Sequence, residues 1–108
     1  MKEKAIRYNP FDTFKDGLTK FVFDIRTLMI IKEMDKYNRV IIDNKLIQEI
    51  SKKTKKEYRT VQNYIYKLVK NNIITKIDTN LYKVNEKYFL YYNWGKYEKE
   101  TKIAPIRN

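Results

Sequence analysis

The chain contains no cysteine and no histidine among its 108 residues. Without cysteine it forms no disulfide and offers no thiolate to a metal. Without histidine it also lacks the Ser-His and Cys-His pairs of nucleophilic catalysis and the ligands of ordinary zinc sites. The 13 acidic residues are scattered rather than paired. The sequence therefore predicts a protein without a catalytic centre, a metal site or a cofactor.

Long apolar runs are absent as well. The longest, at residues 28–31, is far too short to span a bilayer. Residues 1–12 are polar and contain no apolar segment of the kind found in signal peptides. We therefore expect a cytoplasmic protein with no membrane partner. The length suits one domain with a single core.

Acidic residues are few in relation to basic ones. Lysine and arginine number 24, which leaves a formal net charge of +11. Such an excess favours a polyanionic partner: DNA, RNA or an anionic membrane surface. The alternative is a lysine-rich surface that only keeps the protein soluble. For a domain this small and this basic, we favour nucleic acid.

The composition divides the chain into an N-terminal arm at residues 1–20, a folded domain at 21–100 and a tail at 101–108. Aromatic and β-branched residues favour a pleated surface, so residues 19–23 are predicted to form a short strand. The aromatic-rich segment 86–100 predicts either a final helix or an irregular packed segment. Packing or homodimer contacts explain its rings better than stacking on single-stranded bases does.

Three helices are predicted from apolar residues at helical spacing. The first spans residues 24–36 behind an aspartate cap and leads into a short strand at 40–42. The second spans 45–53, capped by Asp43 or Asn44. After a turn at 54–56, the third spans 57–71 and buries one stripe of side chains: Val61, Tyr64, Ile65, Leu68 and Val69.

A β-hairpin is predicted after Asn71-Asn72, because asparagine tolerates the left-handed conformation that ends helices. Its strands are residues 73–77 and 81–84, joined by an Asp-Thr-Asn turn. The order helix, strand, helix, turn, helix, hairpin is typical of a winged helix-turn-helix. This is a mainly α fold with a small β-sheet (α+β).

The third predicted helix is the candidate for DNA recognition, because its polar residues are left on the outer face. Arg59 is predicted to read a guanine edge, and Gln62 and Asn63 an adenine edge. Hydroxyl-bearing residues of the same helix would touch thymine methyl groups or phosphates: Tyr58, Thr60 and Tyr66. The alternative is a polar surface that contacts nothing.

Lysines surround this helix. Four of them precede it: Lys52, Lys53, Lys55 and Lys56. Because cations at a helix N-terminus oppose the helix dipole, we attribute this cluster to phosphate binding rather than to local stability. On the hairpin, Lys76 and Lys83 are predicted to reach phosphates, and Asn80 at the tip to enter a minor groove. A solvated hairpin with lysines guarding an edge strand is the alternative.

Residues 44–85 resemble the winged helix-turn-helix domains of bacterial repressors and plasmid proteins. Residues 51–65 are similar to their turn and recognition helix, and Asn72-Ile73-Ile74 to the G-I-I that leads into the wing. The stretch Y-K-V-N-E-K-Y-F at 82–89 resembles the Y-x-V-N-P-x-Y-F of RepL-type plasmid replication proteins. The chain departs from these patterns in having Lys55 for a turn glycine, Glu57 for a serine cap and Glu86 for a proline.

The resemblance implies a double-stranded DNA-binding protein of a plasmid, phage or other mobile element. Its role would be replication initiation or accessory binding in a relaxosome at an origin of transfer. A plasmid-processing protein would then be a further partner. Transcriptional regulation and a protein-interaction role on the same scaffold are the alternatives. We expect a homodimer or several copies on repeated sites.

Overall fold

The apolar helix faces of this sequence pack together with a small antiparallel sheet into an α+β domain. The structure is a computed structural model that describes residues 4–93. Its elements, in chain order, are β1 (Lys4–Tyr8), α1 (Pro10–Lys15), α2 (Thr19–Val22), α3 (Ile25–Ile31), β2 (Arg39–Ile41), α4 (Asn44–Thr54), α5 (Tyr58–Lys70), β3 (Ile74–Asp78), β4 (Leu81–Val84) and β5 (Phe89–Asn93).

The helices α4 and α5 confirm the sequence prediction almost to the residue. The side chain of Asp43 accepts a hydrogen bond from the Leu46 amide and so caps α4. The stripe predicted for α5 faces inward, with Val61 and Leu68 completely buried. Asn72 follows α5 in the left-handed conformation, with a φ of 60°. Amphipathic period and capping therefore determine this part of the fold.

The predicted hairpin is also present. Strands β3 and β4 pair antiparallel, and β2 pairs with the other edge of β4 to give the order β2-β4-β3. The turn residue Asn80 has a φ of 59°, which an asparagine adopts readily. The register shifts between Lys76 and Asp78, so Ile77 forms a bulge near the tip.

A second sheet joins the two ends of the described chain. Strand β1 pairs antiparallel with β5, so part of the predicted arm shares a sheet with the aromatic segment. The prediction of a helix or irregular segment was wrong for Phe89–Asn93, which is a strand. Its hydrogen-bonding partner lies about 80 residues away in sequence, where local patterns carry no signal. Trp94 and Tyr97 of this segment lie outside the described residues.

The strand predicted at residues 19–23 was wrong. Residues Thr19–Val22 form the short helix α2, in which the Leu18 carbonyl accepts a hydrogen bond from the Val22 amide at 3.0 Å. Leu18 and Val22, four residues apart, are both buried and therefore lie on one helical face. Packing of this face overrides the β-propensity of the residues between.

Helix α3 begins after its predicted cap but ends earlier than predicted. The Asp24 side chain accepts from the Arg26 amide, as an N-cap does. The helix ends at Ile31 because Asp35 builds a separate turn, its carboxylate accepting hydrogen bonds from the Tyr37 and Arg39 amides. Among residues 4–93, no helix has the length and apolar character needed to cross a membrane.

Asn38 links the two sheets. Its side chain, 2% exposed, donates to the Val84 and Phe89 carbonyls, both at 2.9 Å, and accepts from the Tyr91 amide at 2.8 Å. Asn38 itself has a φ of 62°. The start of β5 is thereby held against the end of β4. In the sequence, this residue lies between the first predicted helix and the predicted strand at 40–42, with no signal of this role.

Candidate nucleic-acid interface

The outward side of α5 carries one row of exposed side chains. Positions 59, 63, 66 and 70 are separated by four, three and four residues and so share a helical face opposite the buried stripe. We call these residues the outer row: Arg59, Asn63, Tyr66 and Lys70. The first three were predicted site residues, whereas Lys70 was missed although its spacing fits the same row.

A groove runs between α5 and the β3–β4 hairpin. Its volume is about 550 Å³. It brings together five of the predicted site residues, Tyr58, Gln62 and Tyr66 from α5 and Lys76 and Asn80 from the hairpin. We call it the hairpin groove. Residues of α5 and the hairpin that are 10 or more positions apart in sequence therefore border one concave surface.

Tyr58 is half-buried at the inner side of the hairpin groove. Its hydroxyl donates a hydrogen bond to the side-chain oxygen of Asn44, the first residue of α4. Its ring packs against the hydrophobic core. Tyr58 therefore joins the starts of α4 and α5, in addition to bordering the groove.

The lysine cluster has two parts with different electrostatic surroundings. Lys52 and Lys53 lie in the last turn of α4, where cations interact favourably with the helix dipole. The sequence argument against a stabilising role was therefore wrong for these two residues. It applies only to Lys55 and Lys56, which lie in the turn before α5 and are exposed.

The turn before α5 leaves the start of that helix open. Lys55 ends α4 in the left-handed conformation, with a φ of 56°. Glu57 precedes α5 in an extended conformation, and its side chain makes no capping hydrogen bond. Glu57 therefore provides no side-chain cap for the first amides of α5.

Lys83 lies away from the hairpin groove. Its neighbours in β4, Tyr82 and Val84, pack against or within the core, so alternation directs Lys83 to the opposite face of the sheet. There its ammonium group lies 3.3 Å from the Glu86 carboxylate. Of the hairpin residues predicted to bind DNA, the structure brings only Lys76 and Asn80 to the groove.

Thr60 borders the other flank of α5. It lies on a second groove of about 450 Å³, between α5 and the segment that contains α2 and the start of α3. Lys20, Asn63 and Lys67 border the same groove. Neither Lys20 nor Lys67 was among the site residues predicted from the sequence. The spacing of Lys67 from Thr60 was visible in the sequence, whereas the approach of α2 to α5 was not.

Tyr64 fixes α5 from within. Its hydroxyl lies 2.6 Å from the Thr27 hydroxyl and donates to the Phe21 carbonyl at 3.1 Å. The guanidinium carbon of Arg26 lies 3.8 Å from the centre of the ring. Burial raises the pKa of Tyr64 to about 12. Contacts from α2 and α3 therefore hold α5 in position beneath its exposed face.

Within residues 4–93, no group of three or more acidic side chains is placed to hold a metal ion. No protein-family model, no curated protein and no solved structure matches the chain.

Proposed function

We propose that the chain is a winged helix-turn-helix protein that binds double-stranded DNA sequence-specifically, without catalysis. The observation that carries this proposal is the outer row of α5. It presents a guanidinium, an amide, a phenol and an ammonium group on one exposed helical face. An α-helix with such a face fits the major groove, where these groups match base edges and phosphates.

The order of elements supports the winged-helix assignment. Helix α3, strand β2, helices α4 and α5 and the β3–β4 hairpin follow one another, and the sheet has the order β2-β4-β3. In this assignment α5 is the recognition helix and the hairpin is the wing. The two-residue turn at the end of the hairpin makes the wing short.

The proposed roles follow from position. Arg59 reads guanine and Asn63 reads adenine, both from the outer row. Gln62, which borders the hairpin groove, also reads adenine. Lys76 and Asn80 form the DNA-facing part of the wing. Lys83, paired with Glu86 on the opposite face, contributes only general positive charge. Tyr58 and Tyr66 contact thymine methyl groups or phosphates. The remaining residues contact phosphates: Lys52, Lys53, Lys55, Lys56 and Thr60.

Replacement of Arg59 by alanine tests this docking mode. We expect a loss of about 1–3 kcal/mol in binding free energy and a relaxed preference at one base position. Arg7→Ala is the matched control, because Arg7 is exposed on β1 in the other sheet and its loss removes the same charge. Competition binding with permuted duplexes measures both effects. Equal affinity and preference for wild type and Arg59→Ala would contradict the docking mode.

Salt dependence tests the wider proposal. If about five cations contact phosphates, the logarithm of the association constant falls against the logarithm of salt concentration with a slope of about −4 to −5. A titration of labelled duplex at several sodium chloride concentrations gives this slope. Binding that does not respond to salt would overturn the proposal of a DNA-binding protein.

We further propose that the DNA belongs to a plasmid or other mobile element, on the strength of the RepL-like stretch at 82–89. Replication initiation and accessory binding at an origin of transfer require the same contacts, and so does transcriptional regulation. Footprinting on the element that encodes the protein separates them. Protection at a replication origin, a transfer origin or a promoter assigns the role.

A protein-interaction role is the second candidate, because several apolar side chains are exposed. Five of them lie close together in sequence: Phe11 and Phe14 on α1, Phe23 after α2, and Ile25 and Leu28 on α3. Exposed apolar surface marks sites of contact with other proteins. Within the described part of the aromatic segment, Tyr88 and Phe89 are buried in the core and offer no such surface.

A further inference from the structure

The groove on the other flank of α5, between that helix and α2, contains two lysines without acidic partners. We call it the α2 groove. Lys20 on α2 and Lys67 on α5 both border it and are exposed. In the described part of the chain, neither ammonium group makes an ion pair. The ammonium group of Lys20 lies 5.8 Å from the centre of the neighbouring Phe21 ring. Two cations without an acidic partner therefore border one concave surface next to the outer row.

The acidic residue in this groove is neutralised by its own neighbour. The Asp24 carboxylate accepts hydrogen bonds from Arg26 Nε at 2.9 Å and Arg26 Nη2 at 2.8 Å, besides capping α3. The same guanidinium stacks on the Tyr64 ring. This arrangement gives the groove a fixed floor. Lys20 and Lys67 remain as its excess positive charge.

Polar side chains of α5 continue from the outer row into the groove. Thr60, Asn63 and Lys67 follow each other at spacings of three and four residues and so form one line along the helix. Asn63 belongs both to this line and to the outer row. A ligand that touches the outer row is therefore adjacent to the α2 groove.

The dimensions of double-stranded DNA fit the surface formed by α5 and its two flanking grooves. The major groove is about 12 Å wide, and a helix with its side chains measures about 10–12 Å across. A helix in the groove therefore has one sugar-phosphate backbone along each flank. The hairpin groove lies on one flank of α5, and the α2 groove lies on the other.

We propose that the α2 groove binds the phosphates of the DNA strand opposite the one that faces the hairpin. Lys20 and Lys67 supply the charge, and the Thr60 hydroxyl supplies a hydrogen bond. The proposal rests on the proposed function. It adds that α2, which precedes the winged-helix core, forms part of the DNA interface.

The test is the double variant Lys20→Ala/Lys67→Ala of the full chain, titrated with target duplex at several salt concentrations. Loss of two phosphate contacts makes the salt slope shallower by about 1.8 and lowers affinity at 0.1 M salt roughly tenfold to a hundredfold. The ranking of permuted duplexes stays as in wild type, because phosphates carry no base information. Ethylation of phosphates on one strand should no longer interfere with binding of the double variant, whereas ethylation on the other strand should interfere as it does for wild type.

The matched control is Lys36→Ala/Lys45→Ala, which removes the same charge elsewhere. Lys36 lies in the turn after α3, and Lys45 borders a pocket with Glu33 and Glu49. We expect this variant to keep the wild-type slope. A wild-type slope for Lys20→Ala/Lys67→Ala, together with a loss of binding in Arg59→Ala, would overturn the α2 groove and leave the proposed function intact. A wild-type protein without salt-dependent duplex binding would overturn both.

Discussion

Among residues 4–93, four residues other than glycine adopt the left-handed backbone conformation, and three of them are asparagines. They are Asn38, Asn72 and Asn80, and the fourth is Lys55. Asparagine enters this region at little strain, whereas lysine gains nothing there from its side chain. This chain therefore holds a cation in a strained position in the turn before α5. We attribute the lysine to DNA binding rather than to folding.

Replacing Lys55 by glycine should therefore separate stability from binding. The free energy of unfolding should rise by about 0.5–1 kcal/mol, because glycine has no Cβ to strain a φ of 56°. The salt slope of DNA binding should become shallower by about 0.9, as one phosphate contact is lost. Urea denaturation and duplex titration measure the two effects. A destabilised variant, or one with unchanged binding, would contradict this account of the turn.

Asn38 acts through its side chain. Asn38→Gly keeps the left-handed backbone free of strain but leaves the Val84 and Phe89 carbonyls and the Tyr91 amide without their buried partner. We expect a loss of about 2–4 kcal/mol in the free energy of unfolding. Asn72→Gly, at a φ of 60°, is the matched control and should change stability by less than about 0.5 kcal/mol. Similar urea midpoints for the two variants would show that Asn38 does not link the sheets.

At the scale of the element, α5 depends on a buried phenol. Because burial raises the pKa of Tyr64 from 10 to about 12, the folded state holds this proton more tightly than the unfolded chain does. The stabilising contribution is complete below pH 10 and is lost as pH rises from 10 to 12. Two pKa units correspond to about 2–3 kcal/mol.

The variant Tyr64→Phe isolates this contribution. At pH 8 wild type should be more stable by about 1 kcal/mol, the value of the hydrogen bonds to Thr27 and Phe21. Near pH 12 the order should reverse, because only wild type must keep a phenol protonated. Urea midpoints of both proteins across this range provide the measurement. A stability difference that stays constant with pH would rule out the raised pKa.

The elements that could be predicted from the sequence are those with local signals. Both α4 and α5 have an apolar period; Asp43 caps the start of α4, and Asn72 follows the end of α5. The hairpin has an asparagine at its turn. Strands β1 and β5 depend on each other across the whole chain, and α2 is a single turn stabilised by packing. Neither the pairing of β1 with β5 nor the helix α2 could be predicted from local sequence patterns.

The residues of the candidate site also fall into those with a local sequence signal and those without one. The outer row could be predicted from the helical period, and Lys70 could have been included because its spacing fits the same period. Strand alternation would have placed Lys83 opposite the core-facing Tyr82. Lys20 was not predictable, because its place in the α2 groove depends on how α2 packs against α5.

At the scale of the whole molecule, the net charge of +11 opposes any contact between two copies. Apolar surface favours such a contact. Phe23, Ile25 and Leu28 are 59%, 50% and 45% exposed around the start of α3, a helix whose buried face is also largely apolar. Exposed apolar surface of this kind marks sites of contact with other proteins. A second copy related by a two-fold axis would cover it with the same face.

Self-association through this face should therefore respond to salt in the opposite sense to DNA binding. Screening shortens the Debye length from about 10 Å at 0.1 M to about 3 Å at 1 M, which removes the repulsion between copies while the apolar contact persists. Sedimentation velocity should show association that increases with salt in wild type and disappears in Leu28→Lys. Ile77→Lys adds the same charge at an equally accessible isoleucine on the hairpin and should associate as wild type does. A wild-type monomer at both salt concentrations would contradict self-association through α3.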